Sequence, residues 1–531
     1  MRKAVLPALV LAAASAMVAA CSSSGAASPS TTNTNTVETG SGLVSGERDG
    51  SVQVFRGIPY AEAPVGDLRW RSPQPVQPWS GVRSATDFGA GCTQIPNETG
   101  FEPYGSEFFA KAPFSEDCLF LNVWTNGTDT TDKPVLVWFH GGGFYAGSGS
   151  DEIFNGASLA ARDAVVVTVN YRLGALGYLA HPDLSSESAE GVSGNYGLLD
   201  QVAALEWVRQ NISNFGGDSA NVTIAGQSAG AASVNALLVS PSASGLFHRA
   251  IAQSGPAMGV PPIRLNEAEG NGEAFATALG APRISDMRAL APDLLARAAL
   301  DPTVSAGRPV HVPIIDERVL PVASDDPESM PASDVPILAG YNANEITPVS
   351  DEVSPDDFSG MVRQRYGDSA ERMLELYPHE NGAEATESWN EIARDRYMAS
   401  LLTWADGRRQ RAAESLFLYQ FDHAYPIPQS AVYKSFHTAE VPYVFGTLDA
   451  PDRAFTPKDG DVRELMQSTW LAFMKSGNPT TDTLAWSPSG ADENVVARLG
   501  ASPGTQRAVS TDERMAAFRD YVSRGGTLSL F

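Results

Sequence analysis

A serine between two glycines is the residue in this sequence best suited to chemistry. The β-rich run Val222–Ala225 leads into Gly226-Gln-Ser-Ala-Gly230, and a small-residue run typical of a helix follows. This order predicts a sharp strand-to-helix turn with Ser228 at its apex, because glycines on both sides permit close backbone contact. Free N–H groups at a helix N-terminus favour negative charge, which suits acyl transfer. With 48 glycines in 531 residues, a glycine-rich turn with an incidental serine is the alternative.

A serine nucleophile also needs hydrogen-bond donors for the oxyanion, a base, and an acid that orients the base. The run His140-Gly-Gly-Gly143 directly follows an apolar stretch typical of a buried strand. Consecutive glycines leave backbone N–H groups unshielded by side chains, and one such donor stabilises the transition state by about 3 kcal/mol. We therefore predict an oxyanion hole made of the N–H groups of Gly142, Gly143 and Ala229.

The base must come from a histidine that follows the serine, with an acid between the two. His248 follows Ser228 too closely, and we interpret it as structural. His379 lies in a polar context typical of a solvated helix end, whereas His423 follows a predicted strand, where a catalytic histidine can also lie. Spacing alone therefore leaves His423 and His437 as alternatives.

The elements that must position these residues are strands alternating with helices. Most of the predicted strands are continuous apolar runs, which indicates strands covered on both faces. They are Val52–Phe55, Leu119–Trp124, Val135–Phe139, Val165–Val169, Val222–Ala225, Ala250–Ala252, Pro336–Leu338 and Leu416–Tyr419. Helical patterns cover 198–212, much of 355–410, and 462–475, the last ended by Gly477. We predict an α/β fold with a large, mostly parallel central sheet, helices on both faces and helical insertions.

Composition indicates a globular protein, with 43% hydrophobic and 19% charged residues. The net charge of −25 makes nucleic acid a poor partner. Residues 1–20 form a basic then apolar signal peptide, and Cys21 follows where a bacterial lipoprotein signal places its lipidated cysteine. Signal cleavage with an incidental Cys21 is the alternative. We predict a flexible tether over 21–40, one domain over 41–531, and an envelope lipoprotein or its released, secreted form.

Two further cysteines, Cys92 and Cys118, have 25 residues between them in the chain. In an exported protein an even pair is most simply a disulfide, worth about 3 kcal/mol for a loop of this length. Neither cysteine lies in a C-x-x-C pattern or near a histidine cluster, so we predict no metal site.

Several motifs together resemble type-B carboxylesterases, the family that includes the cholinesterases. The segment Ser435–Gly446 is similar to the family's catalytic-histidine segment. Further similar segments, in the family's order, are Phe55–Ala61, Ser115–Val123, Asn170–Gly174, Phe215–Asp218 and Gly226–Gly230. The resemblance spans about residues 40 to 525 and implies the α/β-hydrolase fold.

The resemblance assigns His437 as the base and Glu345 as the acid. Glu345 ends Gly340–Glu345, which is similar to the family's G-x-N-x-x-E segment, although Ile346 stands where the family usually has glycine. The resemblance also implies the Cys92–Cys118 disulfide and an ion pair between Arg69 and Glu116.

The sequence departs from the cholinesterases at two places. Gln227 precedes the serine where cholinesterases and many relatives carry glutamate. The loop between Cys92 and Cys118 has Phe101, Tyr104, Phe108 and Phe109 but lacks the tryptophan that binds choline in cholinesterases. A quaternary ammonium needs an aromatic face and a nearby anion, so we do not expect a true cholinesterase.

We therefore expect a serine hydrolase that cleaves uncharged carboxylic esters with a Ser228–His437–Glu345 triad and without a cofactor. The expected partners are a small-molecule ester and, through the lipid on Cys21, a membrane. A non-catalytic surface-binding module and an amidase or peptidase with the same triad are the alternatives.

Overall fold

The computed structural model describes residues 35–97, 100–255, 263–323, 332–345, 352–449, 453–490 and 494–528. The predicted signal peptide, Cys21 and Ile346 lie outside these residues. The compact unit that contains the described residues begins at Asn35, so its first strand occupies the last few residues that the sequence assigned to the tether. Within the described parts of the chain, no helix is both long and apolar enough to cross a bilayer.

The strands and helices follow one another in this order. The strands are β1 (Thr36–Thr39), β2 (Gly42–Ser45), β3 (Glu47–Asp49), β4 (Val52–Pro59), β5 (Val82–Ser84), β6 (Gly91–Cys92), β7 (Phe114–Ser115), β8 (Phe120–Thr125), β9 (Lys133–Phe139), β10 (Val165–Val169), β11 (Gly217–Gln227), β12 (Arg249–Gln253), β13 (Ile263–Arg264), β14 (Ile314–Ile315), β15 (Ile337–Asn342), β16 (Leu416–Phe421), β17 (Val495–Leu499) and β18 (Gly504–Arg507). The helices are α1 (Ala157–Ala160), α2 (Gly174–Tyr178), α3 (Pro182–Glu187), α4 (Tyr196–Asn211), α5 (Ala229–Val239), α6 (Leu265–Ala278), α7 (Ile284–Arg288), α8 (Pro292–Leu300), α9 (Pro302–Ser305), α10 (Pro355–Tyr366), α11 (Ala370–Leu376), α12 (Gly382–Arg409), α13 (Ser430–Tyr433), α14 (Val441–Phe445), α15 (Pro457–Ser476) and α16 (Asp512–Ser523).

Eleven of the described strands form one mixed sheet, in the order β18-β17-β16-β15-β12-β11-β9-β10-β8-β4-β3. The central pairings, from β17 to β10, are parallel, and the pairings at both edges are antiparallel. All eight predicted strands lie in this sheet. The prediction of a large, mostly parallel sheet is confirmed.

The apolar runs are continuous because helices cover both faces of the sheet. In β9, Val135, Val137 and Phe139 belong to a core cluster that includes apolar residues of α4 and α5. The alternate residues, Leu136 and Trp138, belong to a second cluster with residues of α14 and α15. Successive side chains of a strand point to opposite faces, so β9 needs an apolar residue at every position.

The helical stretch predicted over 355–410 forms α10, α11 and α12, which add residues such as Phe358 and Ile392 to the first core cluster. Helix α15 begins five residues before the predicted Val462. Thr456 and Asp459 form a capping box at its start, with Pro457 in the first turn. It ends at Gly477, whose φ of 75° is left-handed.

One disulfide and one ion pair hold the irregular N-terminal segment in place. The structure contains the disulfide between Cys92 and Cys118, with the two Cα atoms 4.9 Å apart. It also contains the ion pair expected between Arg69 and Glu116, in which the guanidinium donates from Nε at 2.7 Å and from Nη2 at 2.6 Å. Arg69 Nη1 donates to backbone carbonyls near α7, so this pair ties the N-terminal segment to a distant helix.

Candidate active site

Ser228 lies at the apex of a sharp turn between β11 and α5. Its φ of 58° and ψ of −124° are unusual for a residue with a side chain. Strain of this kind is of the order of 1–3 kcal/mol and is typical of functional sites. Side chains at Gly226 and Gly230 would collide with the backbone, respectively at Gly230 and at Phe139. The two glycines are therefore required for the close crossing of β9, β11 and α5, as the sequence predicts.

The glycine loop after β9 lies against this turn. A Cβ atom added at Gly141 would lie 3.1 Å from Ser228 Cβ. Gly142 has a φ of 105°, and its carbonyl accepts from Tyr145 N and Ala146 N, which closes the loop. Among the described residues, the N–H groups of Gly142 and Gly143 have no hydrogen-bond acceptor.

Ala229 supplies the third predicted donor. It is the first residue of α5, and an N–H in the first turn of a helix has no acceptor within that helix. The three predicted donors thus have no backbone acceptor around Ser228, as an oxyanion hole requires.

His140 supports the glycine loop from a fully buried position. Burial lowers its pKa to about 4, so the ring is neutral near pH 7. Its Nδ1 donates to Gly141 O at 2.8 Å, and its ring stacks on Tyr171 with centroids 4.4 Å apart.

Glu345 and His437 form the closest acid–base contact in this part of the fold. His437 Nδ1 donates to Glu345 Oε2 at 2.5 Å. The Glu345 side chain is completely buried, and it also accepts from Ser254 Oγ at 2.5 Å and from Asn342 N at 2.6 Å. Three donors fix the carboxylate, so it can hold the imidazole in one tautomer and one orientation.

The loops that carry this pair are joined through their backbones. Glu345 follows β15, and His437 lies between α13 and α14. A parallel bridge links Asn344 to Phe436, and Asn344 N donates to Ser435 O at 3.2 Å. The acid and base are 92 residues apart in the chain, and these bonds bring them into register.

The pKa of His437 reflects opposing effects. Burial lowers it, but the charge and hydrogen bond of Glu345, together with the charge of Glu440, raise it above its usual value. The base is therefore stronger than an ordinary histidine.

Gln227 contacts the nitrogen of His437 that a serine proton must reach. Because His437 Nδ1 donates its hydrogen to Glu345, Nε2 carries the lone pair. Gln227 Nε2 lies 3.1 Å from this atom and donates to it. Ser228 Oγ makes no hydrogen bond with another described residue. Bonds between nucleophile and base often tighten only when substrate binds.

Glu440 is a second buried carboxylate that sequence reasoning missed. It accepts from Asn342 Nδ2 at 2.6 Å and from Gln253 Nε2 at 3.0 Å, and Trp470 Nε1 fixes the orientation of Gln253. Burial, and then the charge of Glu345, raise its pKa to about 7. Its position three residues after His437 was the available signal, but its burial could not be read from the sequence.

The other candidates have structural partners elsewhere. His423 Nε2 lies 2.9 Å from Asp459 Oδ1 at the start of α15, so it is His437 and not His423 that meets Glu345. His248 Nδ1 accepts from Val222 N, in agreement with a structural role. His379 is partly exposed, and its Nδ1 donates to Tyr377 O.

An aromatic cluster adjoins the histidine. Tyr104 packs edge-on against Phe436, with centroids 5.3 Å apart, and Phe108 packs on Phe436 at 5.8 Å. Phe101, which is 59% exposed, continues the cluster to the surface. The rings of the disulfide loop therefore also pack outside that loop, because Tyr104 and Phe108 cover Phe436, the residue next to His437.

Comparison with known proteins identifies the family of the chain. A model of the carboxylesterase family matches residues 33–517. The para-nitrobenzyl esterase of Bacillus subtilis (strain 168) is 36% identical, over 85% of this chain and 91% of that protein. The fumonisin B1 esterase of Sphingopyxis macrogoltabida is 35% identical, over 88% and 86%. A solved PNB esterase superposes with a TM-score of 0.77 and 33% identity, over 91% of this chain and 99% of that chain. The chain belongs to the carboxylesterase family, has the α/β-hydrolase fold and is a carboxylic ester hydrolase.

Proposed function

We propose that Ser228, His437 and Glu345 are the catalytic triad and hydrolyse esters through an acyl-enzyme. The observation that carries this proposal is the 2.5 Å hydrogen bond between His437 Nδ1 and the buried Glu345. It leaves the lone pair of His437 Nε2 as the proton acceptor, in a fold whose sharp turn exposes a serine.

Each step follows from this arrangement. Ser228 Oγ attacks the ester carbonyl carbon while its proton passes to His437 Nε2. The carbonyl oxygen becomes an oxyanion, which the N–H groups of Gly142, Gly143 and Ala229 stabilise. The intermediate then expels the alcohol, which takes the proton from Nε2, and Ser228 retains the acyl group. Water repeats the sequence with the same base and releases the acid.

Attack requires Ser228 to replace Gln227 as the partner of Nε2. The Gln227 amide donates to that lone pair in the absence of substrate. Gln227 therefore holds the imidazole ready without adding a negative charge beside it.

We propose that the ester is uncharged on its alcohol side. The alcohol must lie within reach of His437 Nε2, and the half-buried Tyr104 ring packs against Phe436, the residue next to His437. Gln227 supplies an amide where a carboxylate would favour a cation. Aromatic rings bind apolar groups without a charge, so simple aryl and alkyl esters fit best.

Amide hydrolysis by the same triad is the remaining alternative activity. Both reactions use the same nucleophile and base, but an amide needs stronger protonation of its leaving group. A matched pair, 4-nitrophenyl butyrate and N-(4-nitrophenyl)butyramide, separates the two. Amide turnover as fast as ester turnover would reject the assignment to esters.

The N-terminal residues carry a separate proposal about location. We propose that Cys21 is lipidated and that the chain is an exported envelope lipoprotein, because a basic and then apolar segment precedes this cysteine. Metabolic labelling with an alkynyl fatty acid tests this. Label on the wild type and none on Cys21→Ser is expected, whereas equal label on both would reject lipidation.

A fluorophosphonate probe tests the catalytic proposal directly. It reacts with activated serines, so one adduct by intact mass, mapped to Ser228 by peptide sequencing, is expected. Ser228→Ala should take up no probe. An adduct on another serine would reject Ser228 as the nucleophile.

A further inference from the structure

A tyrosine–histidine pair adjoins the glycine loop that carries the predicted oxyanion donors. The Tyr145 ring lies over Gly143, because a Cβ atom added at Gly143 would lie 2.5 Å from Tyr145 Cε1. Tyr145 is 42% exposed although it is aromatic. The His311 ring packs edge-on against it, with centroids 5.8 Å apart and an angle of 82°. The Tyr145 ring therefore lies between His311 and Gly143, whose N–H is a predicted oxyanion donor.

The segment that carries His311 is anchored. His311 lies three residues before β14, whose Ile314 exchanges two hydrogen bonds with the Asn195 side chain. Asn195 Nδ2 donates to Ile314 O at 2.8 Å, and Ile314 N donates to Asn195 Oδ1 at 3.0 Å. A residue on a segment held in this way can define the wall of a binding site.

The chemistry of the triad decides which part of an ester meets this wall. The carbon under attack carries Ser228 Oγ, the oxyanion, the alcohol oxygen and the acyl chain. His437 must reach the alcohol oxygen, and the glycine N–H groups must reach the oxyanion. The acyl chain takes the remaining direction. Tyr145 packs on the glycine loop and His311 packs on Tyr145. Neither ring contacts the aromatic cluster around His437 among the described residues, so we assign this pair to the acyl chain.

The imidazole of His311 has unused hydrogen-bonding capacity. Its buried Nδ1 has no partner among the described residues. Burial is the sole cause that lowers its pKa, and no carboxylate contributes, so the ring is neutral near pH 7. A neutral imidazole offers one donor and one acceptor, and a half-turn about Cβ–Cγ changes which edge it presents.

We propose that His311 is a specificity-determining residue that favours acyl groups with a hydrogen-bonding oxygen near the ester carbonyl. An ether or hydroxyl oxygen on the acyl chain gives the imidazole the partner that it lacks in the protein. An all-carbon chain of the same length leaves that nitrogen unsatisfied. This inference rests on the proposed triad, because the triad fixes where the acyl chain lies.

Two esters of matched shape test the proposal. In 4-nitrophenyl methoxyacetate an ether oxygen replaces one methylene of 4-nitrophenyl butyrate, and the leaving group is unchanged. The measured quantity is kcat/KM for the methoxyacetate divided by kcat/KM for the butyrate. This ratio is compared between wild type and His311→Phe, which keeps an aromatic ring against Tyr145. The intrinsic reactivities of the esters cancel in this comparison. The Phe variant should lower the ratio about three- to tenfold, the value of one neutral hydrogen bond.

The controls separate this inference from the proposed function. His311→Gln keeps a donor and an acceptor and should retain the wild-type ratio, and Tyr145→Phe should retain it because no hydroxyl contact is invoked. A ratio that is unchanged in His311→Phe, or that falls equally in His311→Gln, would overturn the role of His311. Failure of the proposed triad would appear instead as undiminished butyrate hydrolysis by Ser228→Ala.

Discussion

Glu345 Oε2 accepts a hydrogen bond from His437 Nδ1 at 2.5 Å, and the same carboxylate is held by Ser254 Oγ and Asn342 N. Glu345 lies on the loop after β15, and His437 lies on the loop before α14. The three donors hold this buried carboxylate rigidly beside the imidazole. The carboxylate can therefore stabilise the imidazolium that forms when the base takes a proton.

Replacing this carboxylate by an amide should remove most activity and leave the fold intact. In Glu345→Gln the side chain keeps its size, but its amide can hold the imidazole in the wrong tautomer. We expect kcat to fall about 10³- to 10⁴-fold, by analogy with other triads. Steady-state kinetics with 4-nitrophenyl butyrate and thermal unfolding measure the two effects.

Asp316→Asn is the matched control. Asp316 accepts from the backbone N–H groups of Arg318, Val319 and Leu320 and from the Asn195 side chain. Its loss should lower stability more than activity. If Asp316→Asn abolished turnover and Glu345→Gln did not, the acid would be misassigned.

The pH dependence of kcat/KM should report the raised pKa of His437. The histidine must be neutral to accept a proton, so activity is lost as the pH falls through its pKa. Because Glu345 and Glu440 raise that pKa above the ordinary 6.5, the midpoint of the acidic limb should lie above 6.5. In Glu440→Gln one of these charges is removed, and the midpoint should move to lower pH. A limb that does not move would show that Glu440 has no electrostatic effect on the base.

Gln227→Glu should move the acidic limb of the kcat/KM profile to higher pH. The new carboxylate would lie beside His437 Nε2, where the amide now lies at 3.1 Å. Its charge favours the imidazolium, so the midpoint should rise. The same variant should gain relative activity on a cationic ester, measured as butyrylcholine against the uncharged 3,3-dimethylbutyl butyrate. An unchanged preference would exclude Gln227 as a determinant of charge selectivity.

Asp459 should stabilise the protein down to acidic pH. It accepts from Tyr443 OH at 2.7 Å and Thr456 N at 2.8 Å, and it lies 2.9 Å from His423 Nε2. Burial opposes its ionisation, but these hydrogen bonds prevail and lower its pKa to about 2. Its contribution, roughly 2 kcal/mol, is complete above the unfolded pKa near 4 and is lost as the pH falls to 2.

Urea unfolding of wild type and Asp459→Asn measures this contribution. The variant should be less stable at pH 7, and the difference should shrink toward pH 2. A difference that stays constant over this range would mean that the loss comes from packing and not from the charge. Ester turnover at pH 7 should remain close to that of the wild type, because Asp459 lies outside the triad.

The sequence was most informative where chemistry demands a residue type at every position. Continuous apolar runs such as 135–139 predict strands because both faces of the sheet are covered, and glycines 226 and 230 predict the turn because no other residue fits. The identity of the predicted base did not follow from residue types in the same way, since spacing left His423 and His437 equally possible. Only the resemblance, and then the contact with Glu345, separated them.

The features that the sequence did not reveal depend on contacts between distant parts of the chain. Asn342 and Gln253 donate to the buried Glu440, and Trp470 donates to Gln253. These three residues lie on three different elements. The bond from Gln227 to the His437 imidazole likewise joins residues 210 positions apart. Helix α15 began earlier than its apolar periodicity indicated, because a polar capping box fixed the start.

Turnover of 4-nitrophenyl butyrate by Ser228→Ala tests the central claim most directly. Removing Oγ removes the nucleophile but not the fold, so kcat should fall by about 10⁴-fold or more, with the residual rate independent of His437. Purified wild type and variant are compared at equal concentration, with thermal unfolding to show that both are folded. Near-wild-type turnover by a folded Ser228→Ala would contradict the account.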